Sequence, residues 1–187
     1  IPSILTILFG AAYGSVNTFI AMMTSEVGIE NAGLFFIVGT IFVFISRPFG
    51  GRIFDSKGGF WVILPGGILY LIGLGILVSA QSLTVLLVAS VFYGFGGGLL
   101  LPSLMTWMLN VVTPDRRSGA SATFYNMLDI GTSSGIILLG SVAGSIGYVN
   151  MYYYVIGVMV IFIAFFMFNH FVLQKKVKKQ NQQEELA

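Results

Sequence analysis

One carboxylate, Asp129, lies in the middle of a stretch that is otherwise long and apolar enough to cross a lipid bilayer. An ionisable side chain at that depth costs roughly 3 kcal/mol or more, so it usually faces a protein interior or a wet cavity and has a function there. A carboxyl group that alternates between hydrocarbon and water changes its proton affinity and can carry protons. Asp129 is therefore the candidate proton-coupling residue. The alternative is a hydrogen bond between helices, for example with Asn17 or Tyr13.

The helical face around Asp129 is polar. Positions three and four residues away share that face, and they hold Tyr125, Asn126, Thr132 and Ser133. Asp129 is ten residues beyond Gly119, or about 15 Å along a helix, which is half of a hydrocarbon core of about 30 Å. The pattern predicts a carboxylate near the membrane midplane.

Two other apolar stretches carry polar or aromatic side chains that could line the same cavity. These candidates are Tyr13, Asn17, Tyr93 and Trp107. Apart from Arg47, near the end of the second apolar stretch, the apolar stretches of the chain contain no Lys or Arg that could hold an anion. An acid among aromatic rings favours a cationic or neutral, partly apolar solute.

The composition indicates the elements that position these residues. Hydrophobic residues make up 56% of the chain and charged residues 9%, against roughly 25% charged residues in soluble domains. Apolar runs of about 20 residues predict membrane-crossing helices, and six are present, at residues 3–24, 32–49, 61–80, 84–110, 119–143 and 151–173. We therefore predict an all-α membrane protein with a six-helix bundle over residues 1–173 and a polar tail over residues 174–187.

The basic residues predict the orientation. All of them fall in the second connection, the fourth connection or the tail: Arg47, Arg52, Lys57, Arg116, Arg117, Lys175, Lys176, Lys178 and Lys179. Alternating spans place these three segments on one face, and Lys and Arg favour the cytoplasmic side. We therefore expect a multi-pass protein of the cell membrane, with both ends of this segment on the cytoplasmic side.

Several classes of function lack the residues they need. The chain has no cysteine and one histidine, so we expect no metal site and no cofactor. Its apolar stretches hold no paired carboxylates and no cluster of histidines, so an enzyme is not expected. A channel would need rings of charge or a filter-like loop. The expected partners are a small solute, protons and the lipid bilayer, with no nucleic acid; a non-transport module such as a channel subunit or scaffold is the alternative from another class.

One connection carries a family-specific motif. Residues 47–59 read Arg-Pro-Phe-Gly-Gly-Arg-Ile-Phe-Asp-Ser-Lys-Gly-Gly, with glycine, aspartate and glycine at 51, 55 and 58. This segment resembles the cytoplasmic signature loop of the major facilitator superfamily as it recurs in the C-terminal half. Residues 114–120 and 126–135 look like the next-to-last helix of bacterial drug:proton antiporters. Ser56 stands where that loop usually has a basic residue.

The resemblance implies a fold and residue roles. The chain would be helices seven to twelve of a twelve-helix transporter with 3+3 inverted repeats. The N-terminal six-helix half of the same transporter would be the main partner of this chain. The start at Ile1, without an initiator Met, fits that expectation. The implied gating loop comprises Gly51, Arg52, Asp55 and Gly58. An internal echo, Gly140, Gly144 and Gly147, repeats the spacing of Gly51, Asp55 and Gly58.

The fourth stretch adds candidates for bending. Gly94, Gly98 and Pro102 could form a hinge, although glycines at this spacing equally serve helix packing. The function expected from the whole pattern is proton-coupled export of a small cationic or neutral amphiphilic solute by alternating access. Uptake, or sugar or metabolite transport by the same fold, stays open.

Overall fold

Six long helices make up the bundle. The computed structural model describes the backbone of residues 1–184 and side chains up to residue 172. The helices are α1 (Pro2–Glu26), α2 (Gly33–Lys57), α3 (Phe60–Val78), α4 (Leu83–Asn110), α5 (Arg117–Ile146) and α6 (Tyr148–Glu184), and a short 3-10 turn at Pro114–Arg116 precedes α5. Within the described residues no strand is present. All six helices are long and apolar enough to cross a membrane, which confirms the all-helical fold predicted from the apolar runs.

The helices extend beyond the predicted spans. The signature segment, expected as a loop, continues α2 as helix to Lys57, and only Gly58 and Gly59 separate α2 from α3. Similarly, Gly147 alone separates α5 from α6. Hydropathy marks only the part of a helix that lies in hydrocarbon, whereas backbone hydrogen bonding continues the helix into polar residues. The predicted tail, residues 174–187, belongs to α6 up to Glu184, and its side chains lie outside the described part of the structure.

The packing of the helices has an internal two-fold pattern. Close contacts join α1 with α5 and α2 with α4, while α3 lies against α4 and α6 against α1. If α1, α2 and α3 are matched with α4, α5 and α6, the α1–α5 pair corresponds to the α2–α4 pair, and the α3–α4 pair corresponds to the α1–α6 pair. This is the arrangement expected of two three-helix repeats, and it gives α1 and α4 the central positions.

The two repeats also end alike at their second helix. Gly58 terminates α2 with φ 87° and donates its N–H to the Phe54 carbonyl. Gly147 terminates α5 with φ 89° and donates to the Ala143 carbonyl. Both glycines occupy the left-handed region that a side chain disfavours, so the echo at 58 and 147 reflects one backbone geometry used twice.

Glycines let the paired helices approach closely. A Cβ atom on Gly10 or Gly131 would collide with the backbone of the partner helix in the α1–α5 pair, and one on Gly94 or Gly98 would collide with α2. Small residues of this kind are a common device for packing helices in lipid. The contacts advance in the same direction along both helices, from Ile7 opposite Gly131 to Ala11 opposite Gly135, so α1 and α5 run parallel.

The third and sixth helices cover one side of the bundle. On α6, Tyr152 and Phe162 are fully buried, whereas Tyr153 and Tyr154 are exposed. Tyr152 points into the bundle, where its hydroxyl donates to the Val16 carbonyl at 3.5 Å. Exposed apolar side chains on α2 and α5, among them Phe44 and Ile137, leave another face of the bundle open.

Candidate functional site

Asp129 lies on the open face of α5. Its side chain is exposed, and so are Tyr125, Asn126 and Ser133 on the same helical face. Within the described residues, Asp129 forms neither a hydrogen bond nor an ion pair, and the alternative of a bond to Asn17 or Tyr13 is not realised. A carboxylate on an open polar stripe of a membrane-crossing helix is accessible to water, solute or a further polypeptide.

Thr132 faces a different direction from Asp129. Its hydroxyl donates to the Gly10 carbonyl of α1 at 3.3 Å, and a Cβ on Gly14 would lie only 2.6 Å from its methyl carbon. The helical-face argument placed Thr132 with the cavity residues, but three residues correspond to about 300° of helical rotation, enough to turn a side chain from the open face to the packed one. Thr132 therefore contributes to the α1–α5 contact in this structure.

The polar residues of α1 and α4 meet inside the bundle. Asn17 donates from its side-chain amide to the Tyr93 hydroxyl at 3.0 Å and to the Tyr13 carbonyl at 2.8 Å. Tyr13 and Asn17 are half-buried, whereas Tyr93 is only 7% exposed. The structure thus brings together Asn17 and Tyr93, two of the cavity candidates, with the Tyr93 ring more deeply buried than the Asn17 side chain.

Sequence reasoning missed a residue of this cluster, Tyr70 on α3. Its ring is fully buried with its centroid 4.9 Å from that of Tyr93, and its buried hydroxyl has no hydrogen-bond partner within the described residues. The sequence signal for an inward-facing position is that Tyr70 lies between two glycines of α3, Gly66 and Gly73. In the structure, Gly73 packs directly on the Tyr93 backbone.

Trp107 lies apart from the other candidates. Its indole packs against Phe166 of α6, with ring centroids 5.8 Å apart and planes at 83°. This places Trp107 on the side of α4 that faces α3 and α6, away from the open face that carries Asp129. The structure does not unite Trp107 with the other predicted cavity residues.

The predicted gating residues occupy the last turns of α2. Gly51, Arg52 and Asp55 are exposed, and a Cβ on Gly51 would have nothing within 4 Å. Asp55 and Gly51 line a small cavity of about 40 Å³ against Pro102 and Ser103 of α4. Asp55 and Arg52 form no ion pair in the described part of the chain. A carboxylate in the last turn of a helix faces the negative end of the helix dipole, so the position of Asp55 is not explained by stabilisation of α2.

The hinge candidates on α4 lie within one continuous helix. Gly94 packs on the Gly39 backbone, and Gly98 packs on Val43 and Ser46. Pro102 is exposed within the same helix. The two glycines serve the α2–α4 contact, and bending at Pro102 stays a prediction.

Glu26 makes a contact that the sequence did not signal. Its carboxylate accepts the Tyr148 N–H at 2.6 Å, at the first residue of α6, so it joins the end of α1 to the start of α6. A carboxylate at a helix N-terminus is stabilised by the N–H groups and the dipole. In the described residues no group of His, Asp, Glu or Cys could hold a metal ion.

Comparison with known proteins identifies related sequences. The model of the Major Facilitator Superfamily matches residues 3–186. A proton-coupled antiporter flippase of Staphylococcus saprophyticus is 28% identical over 139 residues, 73% of this chain and 35% of that protein. A staphylopine export protein of Staphylococcus aureus is 26% identical over 171 residues, 88% of this chain and 42% of that protein. The chain thus spans well under half the length of these relatives.

A further relative and a solved structure have names that refer to other substrates. Multidrug resistance protein 3 of Bacillus subtilis is 28% identical over 111 residues, 59% of this chain and 22% of that protein. A crystal structure of a peptide transporter in complex with alafosfalin superposes with a TM-score of 0.76 at 18% identity, over 89% of this chain and 37% of that one. This structural match supports the fold alone.

Proposed function

Since the chain belongs to the Major Facilitator Superfamily, we propose that it forms the C-terminal half of a secondary active transporter that exports a small cationic or neutral amphiphilic solute in exchange for protons. The transporter would lie in the cell membrane, with both ends of this segment in the cytoplasm. The six membrane-crossing helices and the transporter family are the basis of this proposal.

The observation that supports proton coupling most directly is the exposure of Asp129 on a membrane-crossing helix. Its carboxylate has no hydrogen-bond partner or counter-ion in the described residues, and Tyr125, Asn126 and Ser133 extend a polar surface around it. A structural acid would be expected to bond to a neighbouring helix, whereas a coupling acid needs access to water and solute. The open face would pair with the N-terminal half, and the central cavity would lie between the two halves.

The solute-binding surface would extend from Asp129 to the α1–α4 cluster. Asn17 is anchored by Tyr93 and remains half-exposed beside Tyr13. One acidic group, an amide and aromatic rings, with no cationic side chain among these residues, suit an amphiphilic cation or neutral solute. Relatives named as antiporter, export and multidrug resistance proteins agree with the direction of transport, although a probable nitrate transporter of Staphylococcus carnosus is also related, at 29% identity.

Proteoliposomes of the full-length protein would test this proposal. Addition of a candidate amphiphilic cation should release or take up protons, and an imposed proton gradient should drive its accumulation against its own gradient. If the rate of solute transport were the same under inward and outward proton gradients, proton coupling would be excluded and a uniporter of the same fold favoured.

A further inference from the structure

An aromatic cavity lies on the side of the bundle away from Asp129. It has a volume of about 320 Å³ and lies where α2 ends and α3 begins, beside the later turns of α4 and α6. Its principal side chains are Lys57, Phe60, Trp107, Phe166, Asn169 and His170. A cavity of this volume is at the lower end of the range seen for small-molecule sites.

Stacked rings form the wall of this cavity. Phe60 stacks on His170 with ring centroids 4.0 Å apart and planes at 22°, and on Phe166 with centroids 5.8 Å apart and planes at 18°. Trp107 meets Phe166 edge to face. Rings that hold one another in this way give a wall with little freedom to collapse into the cavity.

The charge of the cavity is positive. Among the residues that the structure describes, Lys57 is the only formally charged one in the lining, and it forms no ion pair with the others. The negative end of the α2 dipole and the positive end of the α3 dipole meet at this corner and offset each other, so Lys57 sets the sign of the charge. An anionic group would therefore be favoured at the mouth, and a cation would be repelled.

The surroundings of the cavity are those of a membrane interface. Trp61, next to Phe60, is 58% exposed, and Phe171, next to His170, is 51% exposed. Large aromatic side chains at a helix end are typical of the headgroup level of a bilayer. Because α3 and α6 cover the side opposite the open face of the bundle, this cavity faces lipid rather than the space proposed for the solute.

We propose that this cavity binds the phosphate headgroup of an anionic phospholipid. Lys57 pairs with the phosphate, the aromatic wall of Phe60, Trp107 and His170 contacts the glycerol region, and the acyl chains leave along the surface of α3 and α6. A free phosphate ion has the same charge chemistry but makes no use of the aromatic wall. Lipid bound here would fix the connection between α2 and α3, which follows directly on the gating residues.

Native mass spectrometry of the purified full-length protein in detergent tests this inference. Phosphatidylglycerol should bind more tightly than phosphatidylcholine. Each lysine near an anionic lipid contributes about 1 kcal/mol, or about fivefold in affinity, so Lys57→Gln should weaken phosphatidylglycerol binding by about fivefold and Lys57→Glu further.

Arg117 supplies the matched control. It is exposed at the start of α5 on the same basic face but outside the cavity, so Arg117→Gln should leave binding within about twofold of the wild type. Equal losses from Lys57→Gln and Arg117→Gln, or no preference for phosphatidylglycerol over phosphatidylcholine, would overturn the site. Displacement of the lipid by inorganic phosphate at millimolar concentration would show that a free anion, not a lipid, is the ligand.

Discussion

At the scale of single residues, Asp129 and Thr132 lie one helical turn apart on α5 but differ in their surroundings. Thr132 donates to the Gly10 carbonyl and packs against α1, whereas Asp129 is exposed one turn away. A packed hydroxyl stabilises a fixed contact, and an exposed carboxylate can exchange protons. The two residues should therefore respond differently to substitution.

We predict that Asp129→Asn removes proton-driven accumulation of solute while exchange of solute down its own gradient survives. The amide keeps the size and hydrogen bonding of the side chain but cannot release a proton at physiological pH. Transport assays in proteoliposomes with and without an imposed proton gradient would measure both activities.

Asp115→Asn is the control for this variant, because Asp115 is exposed outside the spans, near Arg116, and its loss should leave driven accumulation intact. If Asp129→Asn accumulates solute as well as the wild type does, Asp129 is not the coupling residue.

At the scale of helix pairs, the α1–α5 contact depends on the absence of side chains. A Cβ on Gly131 would collide with the Ile7 carbonyl of α1. We predict that Gly131→Ala destabilises the full-length protein by about 1–3 kcal/mol, the usual cost of overpacking. Thermal unfolding in detergent would measure this loss.

Gly75→Ala is the matched control for this glycine. Gly75 lies within α3, and nothing would be within 4 Å of its Cβ. Alanine in a helix interior is favoured over glycine by about 0.5–1 kcal/mol, so this variant should be neutral or stabilised. Equal behaviour of the two variants would mean that the α1–α5 contact is looser than the structure shows.

The join between α1 and α6 depends on one carboxylate. Glu26 accepts the Tyr148 N–H, so Glu26→Ala should lose about 0.5–2 kcal/mol of stability, as the loss of a helix cap does. Glu30→Ala is the control, because Glu30 is exposed in the same connection. Hydrogen exchange at the first turn of α6 should rise in Glu26→Ala and stay unchanged in Glu30→Ala; unchanged exchange in both would show that the cap does not hold this turn.

At the scale of the whole molecule, Asp55 lies where its own helix does not stabilise it. A carboxylate in the last turn of a helix is disfavoured by roughly 0.3–1 kcal/mol, so Asp55→Asn should leave the unfolding temperature equal to or above that of the wild type. The same variant should shift the balance between inward-open and outward-open states without abolishing solute binding, if Asp55 contacts a helix N-terminus of the other half. Accessibility labelling at both membrane faces would measure this shift; unchanged labelling would reduce Asp55 to a residue without a gating role.

The open face of the bundle predicts how this segment behaves alone. Asp129, Asn126 and Ser133 are exposed there together with Phe44 and Ile137, and uncovered polar surface in lipid is costly. We expect the isolated segment to self-associate or to be poorly stable, and not to transport. Size-exclusion chromatography with light scattering would show this, and a stable monomer in detergent would argue against a covering half.

The sequence alone determined the existence of six spanning helices, and its resemblance to a transporter family implied the two three-helix repeats. Hydrocarbon admits only long apolar helices with satisfied backbones, so apolar runs were sufficient to find α1 to α6. It did not determine where helices end: residues 50–57 are helical although three of them are charged, because helix continuation depends on backbone hydrogen bonding rather than on hydropathy.

Only the tertiary structure decided which polar residues share a surface. Helical periodicity grouped Thr132 with Asp129 and ranked Trp107 with the cavity, yet rotation of α5 turned Thr132 onto α1, and rotation of α4 turned Trp107 toward Phe166. Tyr70 and Glu26 acquired partners far away in sequence, Tyr93 and Tyr148. Periodicity fixes relative angles within one helix, whereas the rotation of each helix about its axis is set by the close contacts of glycines with neighbouring helices, and those contacts exist only once the bundle has formed.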